Sequence, residues 1–221
     1  MPRIHAGACL DRPPGSKYLE ALAFAELALV EPLPRSGTLR RWAEALPDHL
    51  TLSVVLPRSA RFGERGPLRP DAAMEEAVAR AREAAAVLGA RFVVLPTGGE
   101  ITTGQRDREL LAAFAARFRD GPQLVWAPTG LWEPETALPF ARRIGVLWGF
   151  DPLEADPPPG PVAYARLRAI GMRSRFSETT LVEVVDRLDA AEAEDVWVAL
   201  ESATSFREAR RLAELVPPDG S

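Results

Sequence analysis

Histidine and cysteine are almost absent from this chain, which has two histidines, His5 and His49, and one cysteine, Cys9. A single cysteine excludes an internal disulfide framework and a cysteine-rich zinc site, and it favours a reducing cytoplasm as the setting. Neither histidine has a second one at metal-ligand spacing, so we expect no metal site. Cys9 has no histidine positioned to activate it, and we interpret it as a buried thiol.

Long hydrophobic runs and an excess of basic charge are also lacking. No apolar run approaches the roughly 20 residues of a membrane span, and the start, Met1 to His5, does not have the layout of a signal peptide. The net charge is −4, which offers no footprint for nucleic acid. We therefore expect a soluble cytoplasmic protein whose partner is neither a membrane nor a nucleic acid. The sequence leaves its oligomeric state open.

The chain does contain a regular alternation of short apolar runs and amphipathic stretches. The predicted strands are Arg3–Ala8, Ala25–Val30, Thr51–Leu56, Arg91–Leu95, Gln123–Ala127, Gly145–Trp148, Val162–Arg168 and Val196–Glu201. The predicted helices are Lys17–Phe24, Gly37–Leu46, Asp71–Leu88, Arg106–Arg119, Glu133–Ile144, Ser177–Ala190 and Ser205–Leu215. A chain of 221 residues is long enough for one sizeable core, so we expect a single domain over residues 1–221.

The fold class predicted from this alternation is a TIM-type (β/α)8 barrel. It is slightly degenerate, because Asp156–Pro161 is too rich in proline to form the helix expected between strands six and seven. A doubly wound sheet is the competing fold. Against it, the turn Gly7–Asp11 carries no glycine-rich dinucleotide fingerprint and no strand precedes a phosphate loop, so we also expect no cofactor.

Several residues mark helix ends. Asp71 is a candidate cap for the third helix and Gly89 a left-handed stop. Pro134 and Ser177 mark two further helix starts, and the tail from Pro217 to Ser221 is expected to be frayed.

The seventh strand carries the clearest candidate site. Its period-two pattern places Tyr164, Arg166 and Arg168 on one face, which we expect to point into the barrel. An inward arginine needs a carboxylate or a bound anion, and the acids near other strands are Glu26, Asp151 and Glu201. Two interpretations stay open: an internal ion pair that holds the barrel together, or a site for an anion.

Carboxylates at strand ends are candidate catalysts, because barrel active sites lie there. Asp151 follows the sixth strand and could act as a base or hold Arg166, although aspartate before proline also suits a plain turn. Glu201 ends the eighth strand and could act as a base or simply begin the last helix.

Three loop features have a functional and a plainer interpretation. The glycines of Pro96–Glu100 could bring amides to a phosphate, but a simple turn is favoured. Arg58, Arg61 and Arg65 could form a basic lid, but a solvated loop is favoured. Trp132 could stack on a ligand.

Several segments together resemble the YecE-like family, domain of unknown function 72 (DUF72). The segments are Thr38–Glu44 followed by Thr51–Pro57, Leu95-Pro96, Asp151-Pro152, Tyr164–Leu167, and Leu200–Ser202 with the stretch up to Ala209. The resemblance covers nearly the whole chain and implies a barrel. It supplies no established activity, and among the family's pocket residues it implies that Tyr164, Arg166, Asp151 and Glu26 are retained.

Other family positions have changed. Where some members carry Trp-Glu-Pro-Arg-Gly, this chain has Trp126-Ala127-Pro128-Thr129-Gly130 and so lacks both charges. Val55 occupies a position where the family usually has lysine, and Val94 one where it has glutamine. Glu201-Ser202 occupies the position of the family's paired asparagines. These departures suggest lost or altered activity.

Three functions are consistent with these observations. The first is a divergent YecE-like barrel that binds a small anionic ligand through Arg166 and Arg168, with Glu26 and Tyr164 in the same site. The second is a metal-independent hydrolase or isomerase for a sugar-like or nucleotide-like substrate, with Asp151 or Glu201 as base and Arg166 holding an oxyanion. The third is a non-catalytic scaffold or partner-binding protein whose mouth is filled by apolar side chains such as Val55 and Val94.

Overall fold

Eight parallel strands close into a barrel in the computed structural model, which describes residues 1–169 and 175–217. The strands are β1 (Arg3–Leu10), β2 (Phe24–Ala28), β3 (Thr51–Val55), β4 (Phe92–Thr97), β5 (Gln123–Pro128), β6 (Leu147–Phe150), β7 (Gly160–Arg168) and β8 (Ala193–Glu201). Each strand pairs with its neighbours in chain order, and β8 pairs with β1 to close the barrel. The predicted (β/α)8 class is therefore confirmed.

Seven α-helices lie within the described residues. They are α1 (Ser16–Leu19), α2 (Ser36–Ala45), α3 (Ala72–Val87), α4 (Gln105–Ala115), α5 (Pro134–Ile144), α6 (Glu178–Asp189) and α7 (Ser205–Leu215). A small antiparallel hairpin, Phe62–Gly63 with Gly66–Pro67, stands between β3 and α3. None of the described helices has the length and apolar character that a membrane span needs.

Local sequence explains several helix ends. The Asp71 side chain accepts a main-chain hydrogen bond in the first turn of α3, and Gly89 follows the end of that helix with a φ of +61°. The Ser177 side chain caps α6 in the same way, and Pro134 occupies the first position of α5. These four predicted signals are confirmed.

The helix predicted over Lys17–Phe24 is too long, because α1 is a single turn that ends at Leu19. The Tyr18 hydroxyl donates a 2.6 Å hydrogen bond to the carbonyl of Phe24 and accepts one from the Ala8 amide at 2.8 Å. Phe24 is thereby held as the first residue of β2, with its ring inside the barrel.

The sixth strand and its surroundings also differ from the prediction. The strand predicted over Gly145–Trp148 begins two residues later, because Gly145 adopts a φ of +74° and ends α5. The prediction of no helix in Asp156–Pro161 is confirmed, although β7 already begins at Gly160. Of the tail expected to be frayed, residues 218–221 lie outside the described residues.

Side chains alternate between the two faces of the barrel wall. On β7, Ala163, Ala165 and Leu167 are buried against the outer helices, while Tyr164 and Arg166 point inward. The predicted period-two pattern of this strand is confirmed. The lower interior is an apolar layer of nine buried residues, which we name the inner cluster: Phe24, Val55, Phe92, Val94, Val125, Ala127, Tyr164, Trp197 and Ala199.

Candidate functional site

Arg166 forms the centre of a polar layer above the inner cluster. Its Nε donates to Glu26 Oε1 at 2.9 Å and Oε2 at 3.2 Å, and its Nη2 donates to Glu201 Oε2 at 2.8 Å. Burial alone would lower the pKa of Arg166, but the carboxylates of Glu26 and Glu201 hold that pKa above its ordinary value. An ionic bridge therefore joins β2, β7 and β8 across the barrel interior.

Tyr164 supports this bridge from below. Its hydroxyl donates to Glu26 Oε2 at 2.8 Å, and because its only hydrogen is used there, the Ser53 hydroxyl 2.7 Å away donates to it. Burial, followed by the nearby Glu26 charge, raises the pKa of Tyr164 well above its ordinary value. Tyr164 is thus a neutral phenol that orients the carboxylate holding Arg166.

An open cavity of about 1050 Å³ lies at the carboxyl ends of the strands, where barrel active sites are found. Four of the six predicted site residues line it, namely Asp151, Arg166, Arg168 and Glu201. The other two, Glu26 and Tyr164, have no exposed surface and lie beneath Arg166. A direct contact between either of them and a ligand is therefore excluded in this conformation.

Arg168 is the outermost member of the polar face of β7. Its side chain is 59% exposed, and its Nε lies 3.3 Å from Glu201 Oε1. Glu201 therefore has one guanidinium on each carboxylate oxygen, Arg166 on Oε2 and Arg168 on Oε1.

Asp151 occupies a separate part of the cavity wall. Its Oδ1 accepts a 2.9 Å hydrogen bond from the Leu153 amide, so the turn interpretation of this residue describes its local geometry. Arg166 pairs with Glu26 and Glu201 instead of with Asp151. Burial, opposed in part by the Leu153 hydrogen bond, raises the pKa of Asp151.

Of the three arginines after β3, only Arg61 lines the cavity. Its Nε donates to the Leu56 carbonyl at 3.1 Å and its Nη1 donates to the Pro96 carbonyl at 3.0 Å. Sequence reasoning missed this residue as a specific site, because nothing in the local sequence distinguishes it from Arg58 and Arg65.

Hydrogen bonds from Gly98 to Glu100 and from Thr129 to Thr97 hold the glycine loop after β4. The Gly98 amide donates to Glu100 Oε1 at 2.9 Å, and both the amide and the hydroxyl of Thr129 donate to the Thr97 carbonyl, at 2.8 and 3.1 Å. The Gly98 amide is therefore already engaged, which favours the simple-turn interpretation over a phosphate cradle.

Two further candidates are packed into the wall. The Trp132 ring is 7% exposed, donates its Nε1 hydrogen to the Ile101 carbonyl and packs edge to face on Trp126. Trp132 and Cys9 both line the cavity. The predicted stacking of Trp132 on a ligand would require its ring to leave its contact with Trp126. Burial raises the pKa of the Cys9 thiol, so the thiolate is disfavoured.

The histidines do not join the cavity wall. His5 stacks on Trp197 and contacts Asp195 with its Nε2, 2.9 Å from Oδ1, near the amino end of the barrel, whereas His49 is exposed. Within residues 1–169 and 175–217, no group of three or more His, Cys, Asp or Glu side chains is placed to hold a metal ion.

A closed barrel of eight parallel strands, with helices in most of the connections between successive strands, defines the TIM-barrel class. Among solved structures, this chain is similar to DUF72 family proteins over nearly its whole length. A DUF72 family protein from Thermotoga maritima MSB8 superimposes with a TM-score of 0.69 at 14% identity, covering 96% of this chain and 97% of that chain. A DUF72 family protein from Enterococcus faecalis V583 gives 0.67 at 14% identity, covering 97% of each chain.

A third structure, the TTHB071 protein from Thermus thermophilus, gives a TM-score of 0.62 at 18% identity over 98% of this chain and 100% of that chain. No protein-family model matches the chain. No curated protein sequence matches it either. The solved structures thus confirm, at the level of the fold, the YecE-like resemblance carried by the sequence motifs.

Proposed function

We propose that this chain is a divergent YecE-like barrel that binds a small anionic ligand at the carboxyl mouth of the barrel. The observation that supports the proposal is the cavity of about 1050 Å³ whose wall holds three guanidinium groups, Arg61, Arg166 and Arg168, beside the carboxyl groups of Glu133, Asp151, Glu154 and Glu201. Arg166 and Arg168 are paired with carboxylates, whereas Arg61 forms no ion pair within the described residues. A cavity of this size accommodates a small organic molecule, and guanidinium groups suit carboxylate and phosphate oxygens.

The open mouth weakens the scaffold hypothesis. That hypothesis expected apolar side chains, such as Val55 and Val94, to fill the mouth. Val55 lines the cavity, whereas Val94 is completely buried in the inner cluster, so within residues 1–169 and 175–217 neither side chain fills the mouth.

Ligand-dependent stabilisation of the unmodified protein tests the proposal. The probes are glycerate, glycerol 3-phosphate and nucleoside monophosphates, with glycerol as the neutral control and sodium chloride as the ionic-strength control. A ligand at ~100 times its dissociation constant adds about 2.7 kcal/mol, which corresponds to a rise of roughly 5 to 10 °C in melting temperature for a chain of this size. If every anion acts like sodium chloride, the proposal fails.

A second candidate function, a metal-independent isomerase or hydrolase, is favoured by Asp151. This carboxyl lines the cavity, its pKa is raised by burial, and its Oδ2 makes no hydrogen bond within the described residues. A raised carboxyl pKa suits a general acid or base. Glu201 suits that role less well, because both of its oxygens already contact arginines.

Solvent deuterium exchange tests the isomerase form of this candidate. Aldose and ketose substrates are incubated with the protein in D₂O, and exchange of the hydrogen next to the carbonyl carbon is followed by NMR. We expect exchange with the unmodified protein and loss of exchange with Asp151→Asn. Asp156→Asn is the control and should keep the exchange, since Asp156 is an exposed aspartate in the same β6–β7 connection. Equal exchange in Asp151→Asn would exclude Asp151 as the base.

A further inference from the structure

Arg61 is held in a fixed position at the cavity wall. Two main-chain carbonyls on neighbouring strands accept from it, Leu56 after β3 and Pro96 in β4. The Phe62 ring follows it, with the Arg61 guanidinium carbon 5.9 Å from the ring centroid. Because these contacts restrict the side chain before any ligand arrives, little further conformational entropy is lost on binding.

The same contacts leave part of the guanidinium unused. Arginine has five N–H bonds, and the two carbonyls take one from Nε and one from Nη1. Both hydrogens of Nη2 have no hydrogen-bond partner within the described residues, and the side chain borders the cavity. Unused N–H donors of a guanidinium form strong, charge-assisted hydrogen bonds with carboxylate and phosphate oxygens.

Charge separates Arg61 from the two arginines of β7. Arg166 and Arg168 share the carboxylates of Glu26 and Glu201, so the four side chains together carry no net charge. No carboxylate of residues 1–169 and 175–217 lies within ion-pair distance of Arg61. Its positive charge has no carboxylate in direct contact, since Glu100 and Glu31 lie farther away, and the side chain is only partly exposed.

We propose that Arg61, rather than Arg166 or Arg168, binds the anionic group of the ligand, and that this group is a carboxylate or a phosphate monoester on a small organic molecule. The inference rests on the proposed function, because it presumes that an anion enters the cavity. Arg166 then has a positioning role, since its two carboxylates already satisfy its charge.

Binding measured with matched variants tests this assignment. The probes are glycerate and glycerol 3-phosphate, which distinguish the carboxylate from the phosphate, and glycerol is the neutral control. The variants are Arg61→Met, which keeps the apolar stem, and Arg65→Met, which removes one exposed arginine from the same loop without touching the cavity. Affinities are measured by isothermal titration calorimetry, and folding is checked by circular dichroism.

We expect Arg61→Met to weaken binding of the preferred anion by at least about tenfold, the loss associated with a hydrogen bond to a charged group, while Arg65→Met changes it by less than about twofold. If Arg61→Met binds as tightly as the unmodified protein, the assignment of Arg61 is overturned and the proposed function stands. If neither these two anions nor the nucleoside monophosphates bind the unmodified protein, both are overturned.

A second measurement covers the case in which Arg61→Met does not fold. In the unmodified protein with ¹⁵N-labelled arginine, the Arg61 Nε–H resonance is identified by its loss in Arg61→Lys. We expect this resonance to shift on titration with the anion that binds, and to stay in place with glycerol. A shift confined to the Arg166 or Arg168 resonances would overturn the assignment.

Discussion

Glu26 and Arg166 are 140 positions apart in the chain, yet Glu26 Oε1 lies 2.9 Å from Arg166 Nε inside the barrel. Glu26 is completely buried and the Arg166 side chain is 13% exposed. Glu26 therefore depends on Arg166 for compensation of its charge, whereas Arg166 has Glu201 as a second partner. The pair also joins β2 to β7, strands that are not neighbours in the barrel wall.

Removal of the arginine alone should destabilise the protein strongly. Arg166→Met leaves Glu26 as a buried carboxylate without its cation, and we expect a loss of about 3 to 5 kcal/mol in the free energy of unfolding. The double variant Glu26→Gln with Arg166→Met should lose clearly less than the sum of the single variants, because the two residues are in contact. Urea denaturation at neutral pH measures all three.

The exposed pair Glu183 and Arg187 is the control for this cycle. Its atoms are 3.0 Å apart, one helical turn apart on α6, with side chains 50% and 38% exposed. Glu183→Gln, which leaves the second hydrogen bond of Arg187 to the Pro152 carbonyl in place, should lose less than about 0.5 kcal/mol. A loss in Arg166→Met as small as this would show that the buried pair does not stabilise the fold.

The two tyrosines of the chain, Tyr18 and Tyr164, should resist ionisation while the protein is folded. Burial is the largest cause of the raised pKa of each. Because each folded pKa lies above the unfolded value of about 10, the stability from the neutral phenols is present below that pH and is lost as the pH rises past it. At about pH 11 we expect tyrosinate absorbance from the denatured chain and none from the folded one. A phenol that titrates near pH 10 with native circular dichroism would contradict this.

Asp151→Asn should not weaken the fold at neutral pH. Asparagine keeps the acceptor for the Leu153 amide and removes a carboxyl whose pKa burial raises. Because the unfolded Asp151 loses its proton first as the pH rises, the ionised group lowers stability above its ordinary pKa of 3.8. We expect the variant to equal or exceed the unmodified protein at pH 7 and the difference to vanish near about pH 3. Destabilisation at pH 7 alone would show that the charge stabilises the fold.

Gly7 should not tolerate a methyl group. A Cβ at this position would lie 2.5 Å from the carbonyl oxygen and 2.8 Å from the carbonyl carbon of Phe24, its partner residue in β2. Main chain cannot move aside easily inside a closed barrel, so we expect Gly7→Ala to lose at least about 2 kcal/mol. Gly15→Ala is the control, since a Cβ there meets nothing within 4 Å. Equal thermal stability of the two variants would contradict the prediction.

The inward face of β7 was predictable because alternation is a local property of a strand. The periodic pattern alone identifies Tyr164 and Arg166 as neighbours on one face. The partners of Arg166 were not predictable in the same way, since Glu26, Asp151 and Glu201 all stand near strand ends. Only the closure of the barrel and the pairing of β7 with β8, which sets Arg168 opposite Glu201, select two of the three.

Arg61 shows the other limit of sequence reasoning. Its conformation depends on carbonyl groups of Leu56 and Pro96, and a carbonyl is present at every residue whatever its side chain. The same limit applies to the short α1, which stops because the Tyr18 hydroxyl binds the Phe24 carbonyl. Neither contact can be predicted from residue types or their spacing, because its acceptor is a main-chain carbonyl.

Tyr164 marks the level at which the barrel interior changes from hydrocarbon to ions. Its ring lies against Phe24 and Phe92, its hydroxyl meets Glu26, and Arg166 follows two residues later, a rise of about 6.6 Å along a strand. Below Arg166 the interior is apolar, so a charged group placed there would have neither water nor an ionic partner. The level of Arg166 is therefore the lowest at which a charged group inside the barrel still meets an ionic partner.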